Sequence, residues 1–134
     1  MRKKLLGAEH PRTLISMANL ATTYQNQGRW NEAEQLEIQV MDMRKELLGE
    51  EHPHTLTSMA NLANTYWNQG RWNDAEQLEI QVMDMHKKLL GPEHPKTLIS
   101  MENLACTYRD QGRNCEAKKL ELEVMNIQIR IGRN

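Results

Sequence analysis

A histidine beside a glutamate can bind a metal or shuttle a proton, and this chain offers that pair three times, as Glu9-His10, Glu51-His52 and Glu93-His94. The spacing argues against both uses. Each of these histidines precedes a proline, and none has a second ligand four residues away on a helix face, as a helical zinc site requires. Turn and helix-cap duty is the expected role, and neither a metal nor any other cofactor is expected. His54 and His86 stand outside the triplets and are expected to be exposed. Cys106 and Cys115 make neither a CxxC pair nor a disulfide framework, so two reduced thiols are expected. No nucleophile has a visible base, no glycine loop could cradle a phosphate, and the acidic run from Glu32 to Glu37 reads as an exposed helix face. The chain is read as no enzyme. Binding chemistry is better represented. Asn19, Asn61 and Asn103 recur at a constant spacing, and a carboxamide can pair with both the C=O and the N–H of an extended peptide whatever its side chains.

The elements that must position those asparagines come from a repeat. Gly7, Gly49 and Gly91 each open a G-x-EHP-x-TL segment, and Tyr24, Tyr66 and Tyr108 keep the same 42-residue period. Each unit reads as two helices. In the first, Leu56, Met59, Leu62, Ala63 and Tyr66 form one apolar face at helical period, as Met17, Leu20, Ala21 and Tyr24 do one unit earlier. Pro53 suits the first turn, and Gly70 ends the helix at a short turn that returns the chain antiparallel. Asn73 and Glu76 resemble a capping box for the second helix, whose inner face is expected to be Ala75, Leu78, Val82, Met85 and Leu89. The expected organisation is the end of a preceding helix at 1–6, repeats at 7–48 and 49–90, and a third at 91–134 with an atypical last helix.

The bulk properties fit a thin, layered fold. A mean hydropathy of −0.76 is low for a deep core, and 17 Lys and Arg against 18 Asp and Glu leave no field to gather nucleic acid. No stretch is long and apolar enough to span a bilayer, and the basic start MRKKLLG is no signal peptide. A cytoplasmic protein is expected, without nucleic-acid or membrane partners.

The pattern NLA-x-TY-x-x-QG-x-x-x-EA, with Leu62, Ala63, Tyr66, Gly70, Trp72 and Ala75, resembles the tetratricopeptide repeat. The longer period and the LG-x-EHP-x-TL connector resemble the kinesin light chain type, and also the near-identical arrays of fungal NOD-like receptor proteins. The resemblance implies an all-α, right-handed α-solenoid of antiparallel helix hairpins, a TPR-like superhelix whose first helices line a concave groove and whose matching asparagines hold peptide backbones. Trp72 takes the family's large-residue position at the turn, where a packing role is expected. One departure stands out: Glu37, Glu79 and Glu121 occupy a second-helix place where the family often carries an aromatic, so packing between repeats is expected to differ there.

Variation between units points to the same face. Positions 1–42 and 43–84 differ at Lys4/Glu46, Ala8/Glu50, Arg12/His54, Ile15/Thr57, Thr22/Asn64, Gln25/Trp67 and Glu32/Asp74. Three of these, Ile15/Thr57, Thr22/Asn64 and Gln25/Trp67, make one helical stripe, as a recognition surface on a constant scaffold would. The candidate peptide-binding residues are therefore Asn19, Thr22, Gln25 and Asn26, then Asn61, Asn64, Trp67 and Asn68, then Glu102, Asn103 and Arg109. Trp67 is the expected flat anchor. The expected function is a protein or peptide binding module, with end-to-end self-association through repeat faces as the alternative. Against that alternative, Asn114, Cys115, Lys118 and Lys119 make the last helix look capped, although Ile127, Ile129 and Ile131 leave an apolar end.

Overall fold

The computed structural model describes residues 11–132; the triplet at Glu9-His10, Gly7 and the expected helix end at 1–6 lie outside the described residues. Within that span the chain folds into six α-helices: α1 (Pro11–Asn26), α2 (Trp30–Leu48), α3 (Pro53–Asn68), α4 (Trp72–Leu90), α5 (Pro95–Asp110) and α6 (Asn114–Gly132). They fall into two compact units, residues 1–69 and 70–134. In the first, α2 packs against both α1 and α3; in the second, α5 packs against both α4 and α6.

The EHP-x-TL connector explains how α3 and α5 start. The residue before a proline is pushed to extended backbone, and His52 and His94 sit there at φ −69° and −68° as N-caps. Each Nδ1 accepts the backbone N–H two residues on, from His54 and Lys96, at 3.0 Å. Capping is thus the observed work of these two histidines. The threonine of the same motif is structural too: Thr55 and Thr97 are wholly buried, and their hydroxyls donate to the carbonyls of Gly49 and Gly91 at 2.8 Å.

The turn after the first helix runs through Gly70 at φ +78°, a left-handed conformation that a Cβ would strain. The capping box expected beyond it does not form. Helix α4 starts at Trp72 with Arg71 as N-cap and no side-chain cap bond. Arg71 instead pairs with Asp74, three residues on, as Arg29 does with Glu32 and Arg113 with Glu116. Arg29 and Arg113 also lie over the rings of Tyr24 and Tyr108, at 4.6 and 4.3 Å, which accounts for a tyrosine and an arginine at fixed spacing around the glycine. Trp72, first residue of α4, is 37% exposed, so it is no more than partly packed.

The apolar faces follow the expected period with corrections. Leu56, Met59, Leu62 and Ala63 are buried on α3, and Leu98, Met101, Leu104 and Ala105 on α5. Leu20 on α1 is 44% exposed, unlike the buried Leu62 and Leu104. On α4 the buried residues are Ala75, Val82 and Met83, with Leu78 and Met85 half-buried and Leu89 exposed. Met83 lies on a second stripe of this 19-residue helix and is buried against Leu98 and Met101 of α5, which a one-face reading omits. His86 is half-buried rather than exposed, with its Nδ1 2.6 Å from the Ser100 hydroxyl. His54 is exposed as expected.

Candidate functional site

The first helix of each hairpin presents two stripes, and the buried one decides where the other points. On α3, Thr55, Ser58, Leu62 and Thr65 face inward, so Thr57, Asn61, Asn64, Trp67 and Asn68 are turned outward and exposed. Trp67 is 38% exposed. On α1 the outward residues include Asn19, Thr22 and Asn26, and on α5 Glu102, Asn103, Cys106 and Arg109. The carboxamides of Asn19, Asn61 and Asn103 are exposed and bond no described residue. By contrast the Thr22 hydroxyl is satisfied by the Ala18 carbonyl at 3.1 Å, and the Asn68 amide by the Asn64 carbonyl at 2.8 Å. Those two side chains are occupied locally, whereas the three recurring asparagines keep their hydrogen-bonding capacity.

Beneath the stripe lies a carboxylate that reading the sequence left unresolved. Glu37 on α2 is 5% exposed. It accepts the Thr65 hydroxyl at 2.5 Å and the Gln25 amide at 2.7 Å. Gln25 also donates to Thr65 Oγ1 at 2.7 Å and to the Asn61 carbonyl at 3.4 Å, so this candidate turns into the scaffold and ties α1 to α3. In the second unit Glu79 repeats the arrangement with Thr107 at 2.6 Å. Burial pushes both carboxyls up to about 7; like charge from Glu34 adds to the effect at Glu37, and from Glu76 and Asp110 at Glu79, while the threonine hydroxyls oppose it. Glu121 shares the register but is exposed, and it pairs with Arg109, the third unit's counterpart of Gln25. The family's aromatic place has therefore become a polar node between the second helix and the next first helix.

Asn61 borders a shallow recess in the first unit, lined also by Ala18, Glu37, Val40, Arg44 and Ser58, with room for little more than a water molecule. Arg44 is half-buried there. It donates to Ser58 Oγ at 2.8 Å and to the His54 carbonyl at 3.2 Å, and burial lowers its pKa. Sequence reasoning missed Arg44 and Thr65, and it singled out Glu37 only as a departure in packing while reading its acidic run as exposed. A recoverable signal existed for Thr65: Thr55, Ser58, Leu62 and Thr65 recur in register at Thr97, Ser100, Leu104 and Thr107, a polar-edged stripe that never varies between these two units. Among the described residues, no group of three or more His, Cys, Asp or Glu could hold a metal, and no helix is long and apolar enough to cross a membrane. Cys106 and Cys115 are unpaired and exposed.

Helical hairpins with glycine-centred turns at a fixed period define the class: an all-α repeat protein with a side-chain-lined face on its first helices. The tetratricopeptide repeat family matches at residues 1–46, 15–88 and 68–130, and the chain belongs to that family. Among solved structures it is similar to the kinesin light chain nearly identical TPR-like repeats of Podosopora anserina. That likeness has 37% identity and a TM-score of 0.86, over 99% of this chain and 63% of that one. A single-residue variant of those repeats gives 36% identity and 0.85, over 95% and 60%. The chain thus spans about three-fifths of the length of these relatives. The TPR domain of Arabidopsis FLU, at 16% identity and a TM-score of 0.73 over 90% of this chain and 96% of that one, shares the fold. Among curated proteins no sequence matches. The architecture is that of TPR-like α-solenoids of the kinesin light chain type, and repeats of this kind generally serve as non-catalytic protein interaction modules.

Proposed function

We propose that this chain is a non-catalytic module that holds an extended peptide or partner segment along the outward stripe of its first helices, as part of a larger repeat array. One observation carries the reading. The side-chain carboxamides of Asn19, Asn61 and Asn103 are exposed, recur once per repeat and bond no described residue, so they are not spent on spacing the scaffold. A peptide backbone is the partner that a repeated carboxamide serves best, because its C=O and N–H groups recur regardless of side chain. Trp67 supplies a broad anchor beside Asn64 and Asn68, and variation at positions 22/64 and 25/67 would tune side-chain preference. Two exposed, unpaired thiols suit the reducing cytoplasm as its place of work.

The test is a screen against an immobilised array of extended peptides, repeated with Asn61→Ala and Trp67→Ala. Peptides bound by the wild type are expected to lose affinity about tenfold or more in each variant, while helix content and melting stay unchanged. Binding that survives both substitutions overturns the proposal, and so does a loss of binding that accompanies a loss of fold in both.

A further inference from the structure

The recess beside Asn61 joins the outward stripe of the first unit to its buried carboxylate. Of the residues that line it, Asn61 is exposed and Ala18 half-buried, whereas Glu37, Val40 and Ser58 are buried. The first two are its rim and the other three its floor. Ala18 precedes Asn19 in α1, so a segment held by Asn19 and Asn61 together passes over that rim and closes the space beneath.

Glu37 has no cation to hold its charge. Its oxygens accept from neutral donors, Oε1 from the Thr65 hydroxyl on α3 and Oε2 from the Gln25 amide on α1. Among the described residues the charged groups that face it are Glu34 and Arg44, both on its own helix. Glu34 repels the charge, and Arg44 makes no ion pair with it, spending Nη1 on Ser58 and the His54 carbonyl instead. The packed helices α1 and α3 bring Gln25, Ser58, Asn61 and Thr65, none of them charged. Each further loss of water therefore favours the neutral carboxyl. The neutral form fits the same shell: the Oε1 proton goes to Thr65 Oγ1, and the Thr65 hydroxyl turns to the Asn61 carbonyl four residues back. In the second unit the matching Thr107 hydroxyl already lies 2.6 Å from Glu79 and 3.3 Å from the Asn103 carbonyl, within reach of both acceptors.

We infer that capture of a peptide by the stripe of the first unit takes up a proton at Glu37: the bound segment closes the recess, removes water from the carboxylate, and is held more tightly at low pH than at high. This rests on the peptide reading of Asn19 and Asn61 and adds its regulation. The sign follows from linkage. In the free chain burial already brings the Glu37 carboxyl up to about 7, and a bound segment raises that midpoint further. Affinity is then constant below the free midpoint, falls as pH climbs through it, and levels once the bound form has ionised too. A rise of about 0.5 in the midpoint corresponds to about threefold in affinity.

Ala18→Leu tests the burial step without any peptide, because a longer side chain at the rim covers the recess as a ligand would. Carbon-13 NMR of the free chain is expected to show the Glu37 carboxyl titrating about 0.5 pH unit higher in Ala18→Leu than in wild type, with Glu79 unmoved as the internal control. Asn61→Leu covers the same rim from α3 and decides if Ala18→Leu disturbs the fold. For the bound state the probe is the tightest peptide of the array that has blocked ends and no ionisable side chain, followed by fluorescence anisotropy from pH 6 to 9. Wild type is expected to bind it about threefold more weakly at pH 9 than at pH 6, and Glu37→Gln equally at both. An unmoved Glu37 titration in the covering variants overturns the inference whether or not peptides bind. Wild-type binding that is independent of pH, or a pH dependence that survives Glu37→Gln, overturns it and leaves the peptide reading intact. If no peptide binds, that reading fails and the inference falls with it.

Discussion

Replacing Glu79 by glutamine should make the protein more stable at pH 8 and leave it unchanged at pH 5. The carboxyl is half-buried under α5, accepts the Thr107 hydroxyl and faces Glu76 and Asp110, so its folded-state pKa rises from 4.5 to about 7. A group whose folded pKa is raised contributes its stability in full below its unfolded value of 4.5 and loses it as pH climbs through 7. The full shift corresponds to a ceiling of roughly 3.4 kcal/mol. Solvent reaches part of the carboxyl and screens it, which brings the expected penalty at pH 8 to about 1–2 kcal/mol. For a chain of this size that is roughly 4–7 °C in melting temperature. The assay is thermal unfolding by circular dichroism at half-unit pH steps from 5 to 8, wild type against Glu79→Gln, with Glu37→Gln as the counterpart in the first unit. His86 acts with the opposite sign, since burial and the nearby Lys96 and His94 hold its pKa low, but it is common to both proteins and cancels in the difference. Curves that run parallel across the whole range would refute the reasoning, because they would mean that Glu79 is ionised in the fold at no cost.

Other substitutions probe the scaffold around the stripe. Thr97→Val keeps the shape but removes the hydroxyl bonded to Gly91, and should cost about 1 kcal/mol by chemical denaturation, the Gly91 carbonyl retaining its bond from the His94 N–H. His94→Ala removes an N-cap acceptor and should cost about 1 kcal/mol, visible as faster amide exchange at Lys96. Gly70→Ala should destabilise by about 1–2 kcal/mol because φ is +78° there, although the added Cβ meets nothing within 4 Å. Arg109→Ala breaks an ion pair whose two side chains are 49% and 45% exposed, and should shift melting by less than about 1 kcal/mol.

The fold was legible because its signals are local and thrice repeated. A proline after histidine, a glycine after Asn-Gln and an apolar period of three and four residues each act within one turn of helix, so the sequence at Pro53, Gly70 and Leu62 carries the information by itself. The second helices were harder. Met83 of α4 is inside and Leu89 outside, and which methionine is covered depends on α5, a helix whose contacting residues lie 15 or more positions on in sequence. Arg71 displaced the expected capping box for a similar reason. Asn73 and Glu76 accept from Gln111 across the hairpin boundary, a partner that no local reading supplies.

The buried glutamates show where the limit lies. A glutamate in the run EAEQLE reads as solvated because carboxylates are seldom buried without a partner. At Glu37 the partners come from two other helices, Gln25 on α1 and Thr65 on α3, and the same Gln25 also binds the Asn61 carbonyl. Position 25 is thus a coupling point between the node and the backbone of the asparagine stripe. At the corresponding place the second repeat has Trp67 and the third Arg109, which draws Glu121 into an exposed ion pair. Exchanging Gln25 therefore cannot be a change of surface chemistry alone. Gln25→Ala should leave the Glu37 carboxylate with Thr65 as its remaining partner, favour its protonated form further, and raise the pH at which the first unit loses stability. Peptide binding as proposed for the Asn19 and Asn61 stripe should weaken with it if position 25 both supports the scaffold and shapes that face. Nuclear magnetic resonance titration of the Glu37 carboxyl in wild type and Gln25→Ala separates the two roles. An unchanged titration with altered binding would make Gln25 a contact residue only, and the coupling argued here would fail.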